Sequence, residues 1–588
     1  MPRVVKLIGG ENLTRGALFT VLLAVFWLSP VVQVTDAKFA LLLSRSLWRD
    51  HTFTLDSYGF PPAEVGVHGK GALYQLHAVQ GHVYYAPPPG SSVLSAPLVG
   101  AAEWLGIYVV NAAGKPDTAT EAWLQVRLAS LLMAALGLVF YLTARLLLAR
   151  WLSLIVALGG ALGTQIWSTA ARGLWAHTWN ALLWGVVLWL LLRAAARERQ
   201  PNPFALATLL AWTYFVRPTS ALGVIAVTVY VFMQYRAMFL RYALTGAAWA
   251  GLFVVWSWQH YGSLLPEYYQ AGRLYFGTFG TALAGHLISP ARGQLVYVPA
   301  LLFVIYLLAR HRREVPHKGL AALALAIIGG QLFSASAYEQ WWGGNSFGPR
   351  FLTDVAPCFA LLAVLGLAAR SGAWRRAEAA AGLLLVAASV FINGRGALSE
   401  DTWRWNKQPQ DISDSRWRLW DWRQPQFMAG WRAPLWLARA TPLPLPGRID
   451  FTAPEADAYL RDGWSGPEPA HRWNDGREAL VFFGLAAPQD VELSLNLGAF
   501  LVPGRLDEQT VAIELNGQTL DTLRLTDDRM RVCSYAVRAA QLRQNNTLRL
   551  LLPNAAAPSG FRDNPASADT RLLGVRVAWL EIKPQEAR

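Results

Sequence analysis

A succession of apolar segments, most of them joined by short arginine-bearing links, sets the limits on what this chain can fold into. Backbone polar groups find no water in hydrocarbon, so such segments must cross a membrane as helices. Eleven runs qualify: 16–34, 128–148, 151–167, 178–192, 203–216, 220–233, 242–258, 295–308, 319–333, 351–369 and 379–392. Several are shorter than the roughly 20 residues of an ordinary span, a mismatch that bilayer thinning accommodates. The composition agrees, because 588 residues that are 54% hydrophobic and 15% charged are too apolar for a soluble chain.

Charge orients the runs. Arg145, Arg150, Arg193, Arg197, Arg199, Arg236, Arg241, Arg310, Arg312, Arg313, Lys318, Arg370, Arg375 and Arg376 fall in the short links, as expected of cytoplasmic ends. The long loops 35–127, 259–294 and 334–350 then lie on the extracytoplasmic face, and the N-terminus is cytoplasmic. An odd number of spans puts everything after Ile392 outside as well. The formal charge of +14 resides mainly in those links instead of forming a stripe, which argues against nucleic acid as a partner. The first run ends at Val34 without a small-x-small cleavage site, so it reads as an uncleaved span in the cell membrane. Cys358 and Cys533 supply no disulfide framework.

The stretch Val93 to Val110, broken by Pro97, Gly100, Glu103 and Gly106, is expected to be a helix lying in the interface. Residues 393–450 are expected to form an interfacial linker. It is rich in tryptophan (Trp403, Trp405, Trp417, Trp420, Trp422, Trp431, Trp436) and ends in Pro442, Pro444, Pro446 and Gly447. Short alternating runs follow at 479–483, 491–497, 511–515, 520–525, 531–537, 547–552 and 572–582, with Asn516-Gly517 as a hairpin signal. These predict an extracytoplasmic, jelly-roll-like β-sandwich over 451–588. Trp464 and Trp473 are expected in its core or an interface, with stacking on sugar rings as the competing role.

The distinctive polar residues all fall on the extracytoplasmic face. Asp36 follows the first span, and an acid there needs a task or a partner, with Lys38 as the nearest partner in sequence. Arg217, Arg292 and Arg350 each neighbour a proline or glycine at the outer end of a span. With His177 and His286 they make a basic collar suited to an anionic headgroup. The competing reading of any one arginine is a snorkelling anchor. Asp354 lies one helical turn beyond Arg350 and is expected to pair with it. Tyr84 and Tyr85 precede the stiff Pro87-Pro88-Pro89-Gly90 element. Tyr268-Tyr269 lie in the next large loop, and Trp341-Trp342 suit the headgroup layer. Tyr84, Tyr85, Tyr268, Tyr269, Trp342 and Asp354 are therefore candidates for substrate contact.

In this order, Asp36, the large first loop with Tyr84 to Gly90, His177, Arg217-Pro218, Ser289 to Gly293 and Trp342 to Arg350 resemble the GT-C superfamily of integral-membrane glycosyltransferases. The resemblance covers residues 15–392. It implies a transmembrane catalytic domain over 1–392 that uses a polyprenyl-phosphate-linked sugar, with a glycan, lipid or protein as acceptor. Asp36 would be the general base or a metal ligand, and Arg350, Arg292, Arg217, His177 and His286 would hold the donor phosphate. Asp36 stands alone where many members place two acids together, so metal use stays open. A divalent cation held by Asp36 with His68 or His82 is one such option. The rival reading is a transporter or flippase for a lipid-linked saccharide, but no internal repeat is visible and the polar groups gather at one face.

Overall fold

The computed structural model describes residues 2–61, 65, 73–270, 272, 274–370, 375–407, 411–431, 440–561, 569 and 571–585. Two compact units divide the chain: a helical one from 1–406 with 415–429, and a β-rich one from 407–414 with 430–588. The segment 393–450, expected to be a connector, is therefore shared between the two units. The segment 432–439, with Trp436, lies outside the described residues, as does His68.

Among the described residues the helical unit has seven helices long and apolar enough to cross a membrane. They are Gly10–Leu28, Thr118–Ala144, Ala176–Ala196, Arg236–Tyr261, Lys318–Ser336, Arg350–Ala368 and Arg376–Leu398. Four more expected runs form the shorter apolar helices Arg150–Leu162, Pro203–Val216, Pro218–Gln234 and Ala300–Arg310. A further short apolar helix, Phe279–Ile288, stands in what sequence suggested was loop. Burial separates inner from outer helices. The apolar window of Arg350–Ala368 is 72% buried against 17% for Arg236–Tyr261. The segment that begins with Arg350 thus runs through the middle of this unit, and the other presents most of its apolar surface outward, as a lipid-facing helix does.

The ends of the spans differ from expectation in ways that place the site. The first helix stops at Leu28 rather than Val34, before Pro30, which cannot donate to a helical carbonyl. Arg172, fully buried, donates to the carbonyls of Ser29 (2.7 Å) and Phe26, satisfying acceptors that the helix end leaves open. Beyond Leu28 the chain is extended against the 168–172 turn, where Gln33 N donates to Arg172 O at 2.8 Å and Gln33 Nε2 to Ser168 O at 2.9 Å. The stretch Val93 to Val110 is helical over Gly90–Trp104 and ends on an exposed Trp104 and Leu105. Its first residue abuts other backbone, because a Cβ on Gly90 would come within 2.6 Å of Phe215 and Val216, just before Arg217. Between the first two long apolar helices, β1 (Leu76–Val79) and β2 (His82–Tyr85) form a small antiparallel hairpin with Leu76 opposite Tyr85.

Among the described residues the β-rich unit contains the seven expected strands and four short ones besides. These are β3 (Thr441–Pro442), β4 (Gly447–Asp450), β5 (Trp464–Pro467), β6 (Arg472–Asn474), β7 (Glu478–Gly484) and β8 (Val491–Ala499). Then come β9 (Gln509–Leu515), β10 (Gln518–Leu525), β11 (Arg531–Val537), β12 (Asn545–Leu551) and β13 (Val575–Pro584). One sheet runs β10-β9-β12-β7-β3 and the other β11-β8-β13-β6-β5, with β4 also on β13. The chain passes from one sheet to the other repeatedly, and the strict alternation of buried and open positions in β9 marks one inward face. Asn516 (φ 54) and Gly517 (φ 85) turn β9 into β10 as the sequence suggested. Because β3 and β4 belong to the sheets, this unit starts before residue 451. Trp464 is core, packed on Phe451 and donating Nε1 to Leu480 O at 2.9 Å, which leaves no face for a sugar.

Candidate functional site

Extended chain leads from Leu28 to Asp36, and the β1–β2 hairpin, with the residue before it, grips it there. Gln75 Nε2 donates to Thr35 O (3.0 Å), and the Tyr85 hydroxyl donates to Asp36 O (2.9 Å). On the C-terminal side Glu121, buried in the first turn of its helix, accepts from Phe39 N and Leu41 N, each at 3.1 Å. Phe39 takes a left-handed conformation there (φ 71), a strained state that the surrounding bonds fix. The Asp36 backbone is thus held from both sides, and its carboxylate remains 46% exposed.

Both carboxylate oxygens have partners. Oδ2 accepts from Arg350 Nη1 at 2.8 Å, and Oδ1 accepts from the Tyr74 hydroxyl at 2.9 Å. Burial pushes the carboxyl pKa up, but Arg350 and Tyr74 outweigh it and hold Asp36 below the ordinary carboxylate value. Lys38 is not its partner; that ammonium lies over the Phe39 ring, 4.9 Å from the centroid.

Arg350 is positioned by the Gly-rich loop that precedes it. Gly343 (φ 73) and Gly348 (φ 58) adopt conformations that glycine accepts without strain. A Cβ at Gly343 would lie 3.2 Å from Arg350 Nε, so the absent side chain gives the guanidinium its place. The guanidinium stacks over Trp175 (4.5 Å) and Phe351 (5.2 Å). Among the described residues Arg350 makes one side-chain hydrogen bond, to Asp36, so most of its five donors stay in reserve.

Asp354 does not pair with Arg350. Residues Arg350–Val355 form a 3-10 turn, in which positions four apart fall on different faces, unlike in an α-helix. Asp354 instead lies 2.6 Å from Arg217 Nε and accepts from His177 Nδ1 at 3.1 Å and Gln331 Nε2 at 3.3 Å. Phe351 joins this group to the Asp36 pair. Around its ring lie Arg217 (5.9 Å), Arg350 (5.2 Å), His177 (6.5 Å) and His286 (6.2 Å). The structure therefore gathers Asp36, Arg350, Arg217, His177, His286 and Asp354 from five separate stretches of sequence.

Arg292 lies elsewhere and is occupied. Its five N–H groups go to Trp342 O (2.7 Å), Ala291 O (2.9 Å), Gln426 Oε1 (2.5 Å), Gly344 O (3.2 Å) and Asn406 Oδ1 (2.9 Å). Burial brings its pKa down to about 10. This cation ties the Gly-rich loop to Asn406 and Gln426 and has no donor left for a phosphate. Trp342 is likewise buried, with the Arg416 guanidinium 4.8 Å above its ring. Tyr84 and Tyr85 split as neighbours on a strand must. Tyr85 reaches Asp36, and Tyr84 packs against Tyr261 at 5.1 Å. Tyr269 is buried and donates to Phe215 O at 2.6 Å, leaving Tyr268 as the exposed member of that pair.

No three His, Cys, Asp or Glu side chains converge as a metal site among the described residues. His82 pairs with Asp56 at 2.7 Å instead of approaching Asp36. With a guanidinium on one oxygen and a phenol on the other, Asp36 does not present a donor set suited to a dication. A cavity of about 270 Å3 lined by Val32, Val34, Lys38, Thr118, Glu121, Ala122 and Trp403 takes in residues flanking Asp36, but no member of the cluster itself.

Tyr74, Phe351, Arg172 and Glu121 escaped the sequence reading. Tyr74 and Glu121 carry no local motif; Asp36 lies 38 residues from Tyr74, and Phe39 and Leu41 lie 82 and 80 residues from Glu121. Arg172 had a signal, a charge just beyond an apolar run, but its role as a cap depends on the unforeseen end at Leu28.

No protein-family model matches the sequence, and no curated protein matches it significantly. Among solved structures the chain is similar to an oligosaccharyltransferase from Archaeoglobus fulgidus in the apo form. The identity is 11% and the TM-score 0.41, over 73% of this chain and 62% of that one. It is also similar to ArnT from Cupriavidus metallidurans bound to undecaprenyl phosphate, at 14% identity and TM-score 0.37, over 66% of this chain and 71% of that one. A family 35 carbohydrate binding module from an environmental isolate matches 22% of this chain and 82% of its own length, at 12% identity and TM-score 0.13. These are similarities, and the chemistry of the site rests on its own residues.

Proposed function

We propose that the protein is a membrane glycosyltransferase that moves a sugar from a polyprenyl-phosphate donor to an acceptor on the extracytoplasmic face. The observation that carries this reading is the half-exposed Asp36 carboxylate on Arg350, beside Arg217, His177 and Asp354 around one phenylalanine ring. An acid that can take a proton is paired with Arg350, which keeps donors in reserve, and Arg217 lies against the same phenylalanine ring as Arg350. That is equipment for activating an acceptor and for holding a phosphate that leaves.

The donor phosphate and Asp36 compete for Arg350. Once the phosphate engages Arg350 and Arg217, the grip on Asp36 Oδ2 loosens and its carboxylate becomes a stronger base. Asp36 then takes the proton of the acceptor hydroxyl or amine as the acceptor atom bonds to the anomeric carbon. The bond from that carbon to the phosphate oxygen breaks, and its electron pair remains on the polyprenyl phosphate between the two arginines. Asp354 and His177 hold Arg217 in place, and Arg292 holds the loop that carries Arg350.

The test uses the full-length protein in lipid nanodiscs, supplied with the polyprenyl-phosphate-sugar fraction of its source membranes. Sugar-free polyprenyl phosphate should appear together with a glycan, lipid or protein heavier by one sugar. Donor that crosses a vesicle bilayer with its sugar bond intact, and no glycosylated product, would establish the transporter reading instead.

A further inference from the structure

Asp36 has two oxygens, and the donor phosphate can free only the one on Arg350. The other is capped by Tyr74. That hydroxyl lies 2.9 Å from Oδ1, on a side chain 48% exposed and set by the hairpin that also grips Thr35 and Asp36. Tyr74 sits directly before Gln75, whose carbonyl accepts from Ala86 N at 2.8 Å, so its backbone is tied to the hairpin while its ring is half open to solvent. The hydroxyl stands where an activated nucleophile must stand: on the oxygen of the base that Arg350 does not hold, donating a hydrogen bond to it.

We propose that Tyr74 is a positioning residue that holds the place of the acceptor on Asp36 and keeps water from it until the acceptor arrives. This inference rests on the glycosyltransferase reading and deepens it. With donor alone bound, an uncapped Asp36 would take a proton from water. The water oxygen would then bond to the anomeric carbon, the phosphate would leave, and the sugar would be lost as free sugar. With Tyr74 in place Oδ1 already has its hydrogen bond, and water must displace the phenol to reach it. The acceptor, held by further contacts of its own, displaces Tyr74 where water does not. The phenol serves as a cap rather than as the acid because burial and the adjacent Asp36 charge push its pKa up, keeping it protonated.

Tyr74→Phe keeps the ring and removes the hydroxyl. In nanodiscs given the source membranes' polyprenyl-phosphate-sugar fraction and no acceptor, the variant should release free sugar about tenfold faster than the parent, the scale of one hydrogen bond to a charged group. Transfer with acceptor present should stay within about twofold of the parent, because the acceptor supplies the missing bond. The double variant Asp36→Asn/Tyr74→Phe should release none. Carbodiimide modification of Asp36, followed by peptide mass spectrometry, gives a readout independent of donor. Tyr74→Phe should raise the labelling rate at a given mildly acidic pH, since losing the donor hydrogen bond raises the carboxyl pKa. Equal labelling in parent and variant would show that the contact is absent in solution and would overturn the inference. So would increased labelling with no gain in free sugar from a parent that does transfer. A parent that neither transfers nor hydrolyses would overturn the functional reading first, and this one with it.

Discussion

At the residue scale the site turns on which cation faces which acid. Asp36, Arg350, Arg217 and His177 were legible in the sequence as polar residues at the mouths of apolar runs, where a charge needs a reason. The pairing was not legible. The 3-10 geometry of Arg350–Val355 turns Asp354 away from Arg350, and Tyr74 reaches Asp36 through a hairpin that no local pattern announces. Arg350→Lys keeps a charge but not the fork, so it should reduce transfer at least about tenfold, the loss of one charge-assisted hydrogen bond. Transfer assays on purified parent and variant check this, and equal rates would make Arg350 an anchor. The pH dependence follows from the sign of the Asp36 shift. Its carboxyl lies below the ordinary value of 3.8, so the base is ionised throughout the neutral range. The acidic limb of the free enzyme's kcat/KM that belongs to Asp36 should therefore fall below about pH 4, and Tyr74→Phe should move it upward.

At the element scale, the helices were legible from hydropathy, but their ends were not, because ends are set by partners distant in sequence. The first span ends at Leu28, before Pro30, and Arg172 takes up the carbonyl that this end leaves open at Ser29, 143 residues earlier. The Ser289–Gly293 turn illustrates the opposite error. Its arginine has the Pro/Gly frame of a ligand-binding residue, yet all five donors are spent on the Trp342–Gly344 loop, Ala291, Asn406 and Gln426. Sequence shows that such an arginine is held rigidly, but not whether it faces a ligand or other chain. Arg292→Ala should therefore act on stability, since each buried acceptor left without a donor costs about 1–3 kcal/mol. The expected result is a fall in Tm of several degrees or failure to purify as a monodisperse protein. A variant with parental Tm and lost donor binding would return Arg292 to the phosphate site.

At the scale of the whole molecule, the change from long apolar runs to short alternating ones located the β-rich unit, and the strands it missed are those of four residues or fewer. Those short strands set its true start. Residues 440–588 expressed alone should give a folded, strand-rich protein, whereas 451–588 lacks β3 and β4, with Leu443 and Ile449 from the core, and should melt lower. Circular dichroism with thermal melts compares the two, and equal melting points would mean that β3 and β4 add nothing to the unit. Whether the helical unit transfers a sugar with Asp36 as base is decided in the cells that make the protein. Lipid-linked sugars and envelope glycans are profiled by mass spectrometry in a deletion strain restored with either the parent or Asp36→Asn. The parent should restore one sugar to an envelope product. Asp36→Asn, though present in the membrane at parental levels, should leave that sugar missing and its polyprenyl-phosphate donor accumulated. Full restoration by Asp36→Asn, or identical profiles with and without the protein, would contradict sugar transfer with Asp36 as base.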